Sequence, residues 1–398
     1  MNYDFVFVGA GIIGLTIARR ILMTHRGVKL LLLEKESSLG VHASGRNSGV
    51  LHTGIYYPAN TLKAKFCKSG SDQLFSYASE HAIPVRKDGK VIVARNEENS
   101  KGLSQLISNA NDNGINAILM NEKEINEIEP HAFAKYGGIY CKDTGVIDNN
   151  RVLKHLRIDI ERLGGEIKFE QRVIFIDDDK RFIRTNEISL NYGYLINTAG
   201  AFADNVAKMV GVGNEFRLVP FKGLYYKLSA KYTSRVNGSI YPVPDPALPF
   251  LGIHFTRSIN NEIFVGPTSI PALGRENYGK LDGLSLSESF SIFRNLSGLY
   301  FSNIQNFRNL VHKELPHLTK KGFMDSAKGL VDELQPEWLD ETPKVGIRPQ
   351  LINTKENKLE MDFLMREGQN SLHILNSISP AFSSSFAVAE HVVDNLSI

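Results

Sequence analysis

Residues 5–34 read FVFVGAGIIGLTIARRILMTHRGVKLLLLE. A short apolar run enters Gly9-Ala10-Gly11-Ile12-Ile13-Gly14, an amphipathic stretch follows, and a second apolar run ends at Glu34. Strand, glycine turn, helix, strand and acid in this order form the unit that cradles a dinucleotide. Gly9 permits the tight turn, Gly11 lets a pyrophosphate approach the backbone, and Gly14 lets the helix pack against the strand. The phosphates then meet the positive end of the helix, and Glu34 accepts from a ribose. A glycine turn with no ligand would need no acid at about twenty residues' distance. The unit predicts a Rossmann-like α/β domain and leaves NAD and FAD both open.

The next stretch separates them. Glu34 runs directly into EKESSLGVHASGRNSGV (34–50), with glycines at 40, 45 and 49. This resembles the extended motif of flavoproteins of the D-amino-acid oxidase and glycine oxidase superfamily. There the segment threads past the FAD pyrophosphate toward the isoalloxazine ring, so the resemblance implies FAD. Lys35, Ser44, Arg46, Asn47 and Ser48 carry donors suited to phosphate or flavin. His42, in HASG, is similar to the histidine that holds flavin covalently in dehydrogenases of methylated amines. Noncovalent FAD is the ordinary expectation.

The chain as a whole sets bounds. Its 398 residues predict two domains rather than one core. A net charge of +3 with both signs interspersed does not suggest a nucleic-acid surface. Two cysteines, Cys67 and Cys141, form neither a disulfide framework nor a zinc site, so no metal is expected and a reducing cytoplasm is the simplest compartment. The apolar N-terminus is preceded by Asp4 and followed by Arg19 and Arg20, too soon for a span of about twenty apolar residues. No membrane span is expected, while peripheral contact with the inner membrane face stays open.

Helical spacing marks 61–81, 100–114 and 150–165, and 89–95 reads as a strand. Residues 190–211 read as strand, glycine turn and helix, and resemble the superfamily's strand that ends against the adenosine, with Gly200 allowing close approach. From 216 to 270 the strand-like segments are rich in Pro, Phe and Tyr, which predicts a large antiparallel sheet. Two helices are expected near 286–300 and 318–332. The fold expectation is a FAD domain from residues 1–84, 142–212 and 340–398. An α+β substrate domain, built on a large mostly antiparallel sheet, is inserted as 85–141 and 213–339.

NSGVLHTGIYYPANTLKAKFC, DTGVID, VPFKGLYYKL, IYPVPDPALPFLGIHFT and GIRPQ occur in that order along the chain. Together they resemble the L-2-hydroxyglutarate dehydrogenase/oxidase family, whose members oxidise L-2-hydroxyglutarate to 2-oxoglutarate on FAD. Those members usually have a histidine where this chain has Arg46. The resemblance implies a small hydroxy-acid substrate and an electron acceptor: oxygen, a quinone or an electron-transfer protein. A FAD-dependent amine or amino-acid oxidase is the alternative.

Oxidising a 2-hydroxy acid removes a weakly acidic hydroxyl proton, so a histidine base is sought. His52 follows the flavin segment, and His254 lies in LGIHFT; hydrogen-bonded structural roles stay open for both. Arg348, in GIRPQ, resembles the superfamily's carboxylate-gripping arginine, with a surface ion pair as its alternative. Lys222 and Arg46 are candidates for a second carboxylate, and Tyr57, Tyr225, Tyr226 and Tyr241 for pocket walls. Ser379, Pro380, Ala381, Ser383 and Ser384 read as a turn and a helix start near Ser383. In the superfamily this helix points its N-terminus at the flavin, where Ser383 and Ser384 would add donors.

Overall fold

The computed structural model describes residues 2–245 and 248–396. Two large sheets organise it. The first has eight strands. Asn2–Val8 lies at its centre, parallel to Leu30–Leu33 on one side and Ser189–Asn197 on the other. Glu166–Lys168 and Ser371–Asn376 extend the parallel part. The four residues Leu30–Leu33 are buried throughout, as befits a strand covered on both faces. Helices Ile12–Thr24, Asn149–Arg162 and Ala381–Asn395 pack on this sheet and share its core with the helix Leu62–Glu80.

The second sheet has ten strands and is antiparallel except where Ser239–Pro242 runs beside Lys90–Val93. Its longest members are Phe216–Leu228 and Leu339–Asn353, paired along nearly their whole length. Leu339–Asn353 was expected at the start of the third FAD piece. Its pairing instead places it, with the short strand Lys358–Leu359, in this antiparallel sheet.

The helical readings hold with shifted ends: Leu62–Glu80, Glu97–Asp112, Asn149–Arg162 and Leu286–Ser302. The segment expected near 318–332 is helical only over Lys320–Ala327, and an unexpected helix, Phe307–Glu314, precedes it. The C-terminal helix starts at Ala381, two residues before Ser383, with Pro380 as its cap. Within the strand-like stretch 238–255, Pro246 and Ala247 lie outside the described residues.

Candidate active site

The glycine turn has the shape that its sequence demands. Gly9 has φ of +102°, and a Cβ there would sit 2.7 Å from the Thr198 carbonyl oxygen. A Cβ on Gly14 would meet the Gly9 carbonyl oxygen at 2.3 Å, so helix and strand touch through the missing side chain. Glu34 accepts from Ala10 N–H at 2.9 Å and from Glu36 N–H at 3.0 Å, leaving lone pairs for a hydroxyl donor. Ser44 Oγ accepts from Ile12 N–H at 3.0 Å, so a hydroxyl stands where an anion meets the helix N-terminus. These residues fit FAD: Gly9 and Gly11 would let a pyrophosphate approach the backbone, Glu34 would accept from the ribose, and Ser44 would donate its proton to phosphate. Gly200, with φ of +55°, leaves open space where a side chain would be.

Several expected cofactor contacts are instead committed to the protein. Asn47 uses all four of its bonding positions: it donates to Ala43 and Ser44 carbonyls and accepts from Gly49 N–H and Asn149 Nδ2. It closes the short helix Ala43–Arg46 and has nothing left for a ligand. Arg46 donates Nε–H to the Val41 carbonyl at 2.7 Å and lies 4.1 Å over the Tyr278 ring. Lys35 bridges Glu36 and Glu276. His42 pairs through Nδ1 with the Tyr278 hydroxyl, and its Nε2 lies 2.9 Å from both Glu36 and Lys35. Both ring nitrogens of His42 are thus engaged with protein groups. Glu36, His42 and Glu276 have the donor types of a metal site, but the Lys35 ammonium already supplies the cation. Ser48 accepts only a long bond, 3.4 Å, from Val50 N–H.

At the C-terminal helix, Ser383 Oγ accepts from His52 N–H at 3.0 Å and donates to the Val50 carbonyl at 3.2 Å. Ser383 therefore holds the His52 segment in place. Ser384 is fully buried beside Cys67. What this helix start offers a ligand is backbone N–H; Ala381 keeps exposed surface, and Ser379 is exposed. Gly70 makes the approach feasible, because a Cβ there would lie 2.5 Å from the Ser383 carbonyl oxygen.

The second sheet assembles the chemistry by register. Directly opposed residues of neighbouring strands share a face. Tyr241 falls opposite His254, and beside Ile92 two residues after Lys90. Tyr225 falls opposite Gly266, the partner of His254, and Phe221, on the face of Tyr225, opposes Arg348. Lys90, Tyr241, His254, Tyr225 and Arg348 thus line one face. Alternation puts Lys222 on the other, where its ammonium holds Asn277 Oδ1 at 2.7 Å and the Gly279 carbonyl at 2.8 Å. The expected substrate role of Lys222 is corrected accordingly. Tyr226 also points away and packs on Phe323.

His254 Nδ1 lies 2.8 Å from the Gly252 carbonyl, which can only accept, so Nε2 presents a lone pair. Burial holds this imidazole down to about 3, with Lys90 and Arg348 adding to the effect. His52 keeps exposed surface, and neither ring nitrogen has a hydrogen-bond partner among the described residues. Burial pushes it well below the usual imidazole range, helped by Lys90, His254 and Arg348. Arg348 lies 4.7 Å over the Phe250 ring and has no ion pair with any described carboxylate. The surface-ion-pair alternative therefore fails. Tyr57, near Arg348, carries the Lys63 ammonium over its ring at 5.0 Å.

Lys63 and Lys90 were not singled out from sequence. Both are buried. A visible signal for Lys90 is its place at the head of the apolar run KVIVA.

The profile of FAD dependent oxidoreductases matches residues 4–395. The chain belongs to this FAD-dependent oxidoreductase family. FAD is its cofactor, and a small-molecule substrate and an electron acceptor complete the reaction. The flavoenzyme is 33% identical to an L-2-hydroxyglutarate dehydrogenase of Indibacter alkaliphilus, covering 99% of this chain and 98% of that one. Identity to the protein of that name from Escherichia coli K12 is 32%, over 99% of this chain and 93% of that one. The mitochondrial one of Caenorhabditis elegans is 34% identical, over 98% and 92%. Among solved structures, the FAD-bound L-alpha-glycerophosphate oxidase of Mycoplasma pneumoniae superposes with a TM-score of 0.77 at 22% identity, covering 99% of this chain and 94% of that one. Glycine oxidase of Geobacillus kaustophilus gives 0.71 at 17%, with the same coverage. Among the described residues, no helix is long and apolar enough to cross a membrane.

Proposed function

We propose that this flavoenzyme oxidises L-2-hydroxyglutarate to 2-oxoglutarate. The observation that carries the reading is Arg348, a recessed guanidinium near two imidazoles and without an ion-pair partner among the described residues. Its planar fork holds the carboxylate next to the reacting carbon and fixes both place and rotation. The hydroxyl on that carbon then faces His52. His52 takes the hydroxyl proton, and His254, with its tautomer set by Gly252, presents a second acceptor. Bound FAD supplies the acceptor for the α-hydrogen and its electron pair.

Arg348 and Lys90 depress His52 in the free protein. Two substrate carboxylates offset those charges and raise the basicity of His52 when it is needed. The full-length relatives named for L-2-hydroxyglutarate support this substrate. An amine or amino-acid substrate would give up its hydrogen as the neutral amine, without a base. Anaerobic bleaching of the flavin by a panel of 2-hydroxy and 2-amino acids tests the reading: L-2-hydroxyglutarate should bleach fastest, and faster bleaching by an amino acid overturns it.

We further propose that the acceptor is met at an anionic membrane surface. The helix Leu286–Ser302 exposes Leu286 (93%), Phe290, Phe293 and Phe301 (76%) along one stripe. Arg294 on the helix and Arg308, which donates to the Tyr300 and Phe301 carbonyls, are exposed beside it. An apolar stripe bordered by cations suits the interface of a bilayer. Co-sedimentation with phosphatidylglycerol vesicles, lost in the Phe290→Ser/Phe293→Ser double variant, is expected. Equal sedimentation with and without vesicles rejects the proposal.

A further inference from the structure

Lys90 is 1% exposed, and its ammonium has no hydrogen-bond partner among the described residues. Its Nζ lies 4.5 Å from the Tyr56 ring centre and 4.9 Å from that of Tyr241. Both phenol hydroxyls are also buried and without hydrogen-bond partners among the described residues. Ring faces offset only part of the loss when an ammonium leaves water. A buried ammonium and two buried hydroxyls on the rings beside it form a donor set that an anionic acceptor would satisfy. The polar groups around Lys90 are the thiols of Cys67 and Cys141, the imidazoles of His52 and His254, and the two tyrosines; none is a carboxylate. A carboxylate matches this donor set in charge and in lone pairs, since it accepts from several donors at once.

We propose that Lys90, with the hydroxyls of Tyr56 and Tyr241, receives the substrate carboxylate remote from the reacting carbon, and so sets the preference for dicarboxylic over monocarboxylic hydroxy acids. This rests on the 2-hydroxy-acid reading. Both histidines feel Lys90 and Arg348 together. A substrate gripped at Arg348, with its hydroxyl at the histidines, sends its far end toward Lys90. Of the three donor residues, Tyr56 keeps exposed surface. Burial already disfavours the charged form of Lys90, so the arriving carboxylate also favours its protonation.

The test compares wild type with Lys90→Met, Lys90→Arg and Tyr56→Phe as FAD-loaded proteins. Binding is read from the flavin absorbance change with glutarate or butyrate. Turnover is read from anaerobic flavin reduction by L-2-hydroxyglutarate or L-2-hydroxybutyrate. In Lys90→Met the glutarate-over-butyrate preference and the ratio of the two kcat/KM values should each collapse by about 30-fold or more. Lys90→Arg, which restores charge, should recover part of the preference, and Tyr56→Phe should lose a smaller share. If Lys90→Met weakens both ligands alike, the proposal is overturned and Lys90 acts only on the histidines or the fold. If Lys90→Met does not fold, an unchanged preference in both Tyr56→Phe and Lys90→Arg overturns it. Wild type that is reduced by neither hydroxy acid sinks the substrate reading alone; the glutarate titrations still decide the role of Lys90.

Discussion

The imidazole of His254 lies flat on the ring of Tyr241, with 3.8 Å between centroids and 19° between planes. The two residues come from adjacent antiparallel strands and face each other in register. Tyr241 carries the Lys90 ammonium near its ring, and His52 meets it edge-on at 6.3 Å. One tyrosine therefore fixes the spacing among a candidate base, a second imidazole and a buried cation.

His52 should carry the hydroxyl proton. His52→Ala is expected to bind FAD and to slow flavin reduction by L-2-hydroxyglutarate by about 100- to 10,000-fold. His254→Ala should slow it less. Stopped-flow absorbance under anaerobic conditions measures both, and wild-type rates in both variants would remove histidine from the mechanism.

Arg348 should fix the carboxylate beside the reacting carbon. Arg348→Lys keeps a charge but loses the fork, and kcat/KM should fall by about 30- to several-thousand-fold. Lys222→Met, on the other sheet face, should stay within about threefold of wild type. Reversal of these two sensitivities would restore Lys222 as the carboxylate ligand.

Gly11 should control cofactor loading. A Cβ there meets only Ser44 Oγ, at 3.1 Å, so the fold tolerates a side chain that the pyrophosphate does not. Gly11→Val should purify folded but colourless, while wild type is yellow and releases free FAD on denaturation. Flavin that stays on the denatured wild-type chain would reinstate a covalent link at His42.

Acid should destabilise the protein early. Burial holds His254 down to about 3 and His373 down to about 4. Unfolded, both titrate near 6.5. Below that pH the unfolded chain binds the additional protons, so stability is complete above about 6.5 and is lost as pH falls toward the folded values. Melting temperatures should decline steadily from pH 6.5 to 4.5, with a shallower slope in His373→Asn. A flat profile across that window would show that the two histidines take up protons in the fold as readily as in the unfolded chain.

The glycine turn was legible because its meaning is local. Gly9 needs a positive φ, Gly14 needs to lack a Cβ, and Glu34 ends the next strand; all lie within one βαβ unit. Periodicity marked four of the long helices in the same way but not Phe307–Glu314, and the strand-like segments of 216–270 marked the large antiparallel sheet. Residue chemistry also pointed to His52 and His254, and the family resemblance of GIRPQ to Arg348. It equally recommended Lys222, Arg46 and Asn47, which the fold spends on its own loops. It passed over Lys90, 258 positions before Arg348 in the chain. What separates these groups is the face of a sheet on which each side chain stands. That face alternates with every residue, so a register set by distant pairing and bulges decides it, and tertiary packing then determines which buried charge has no partner.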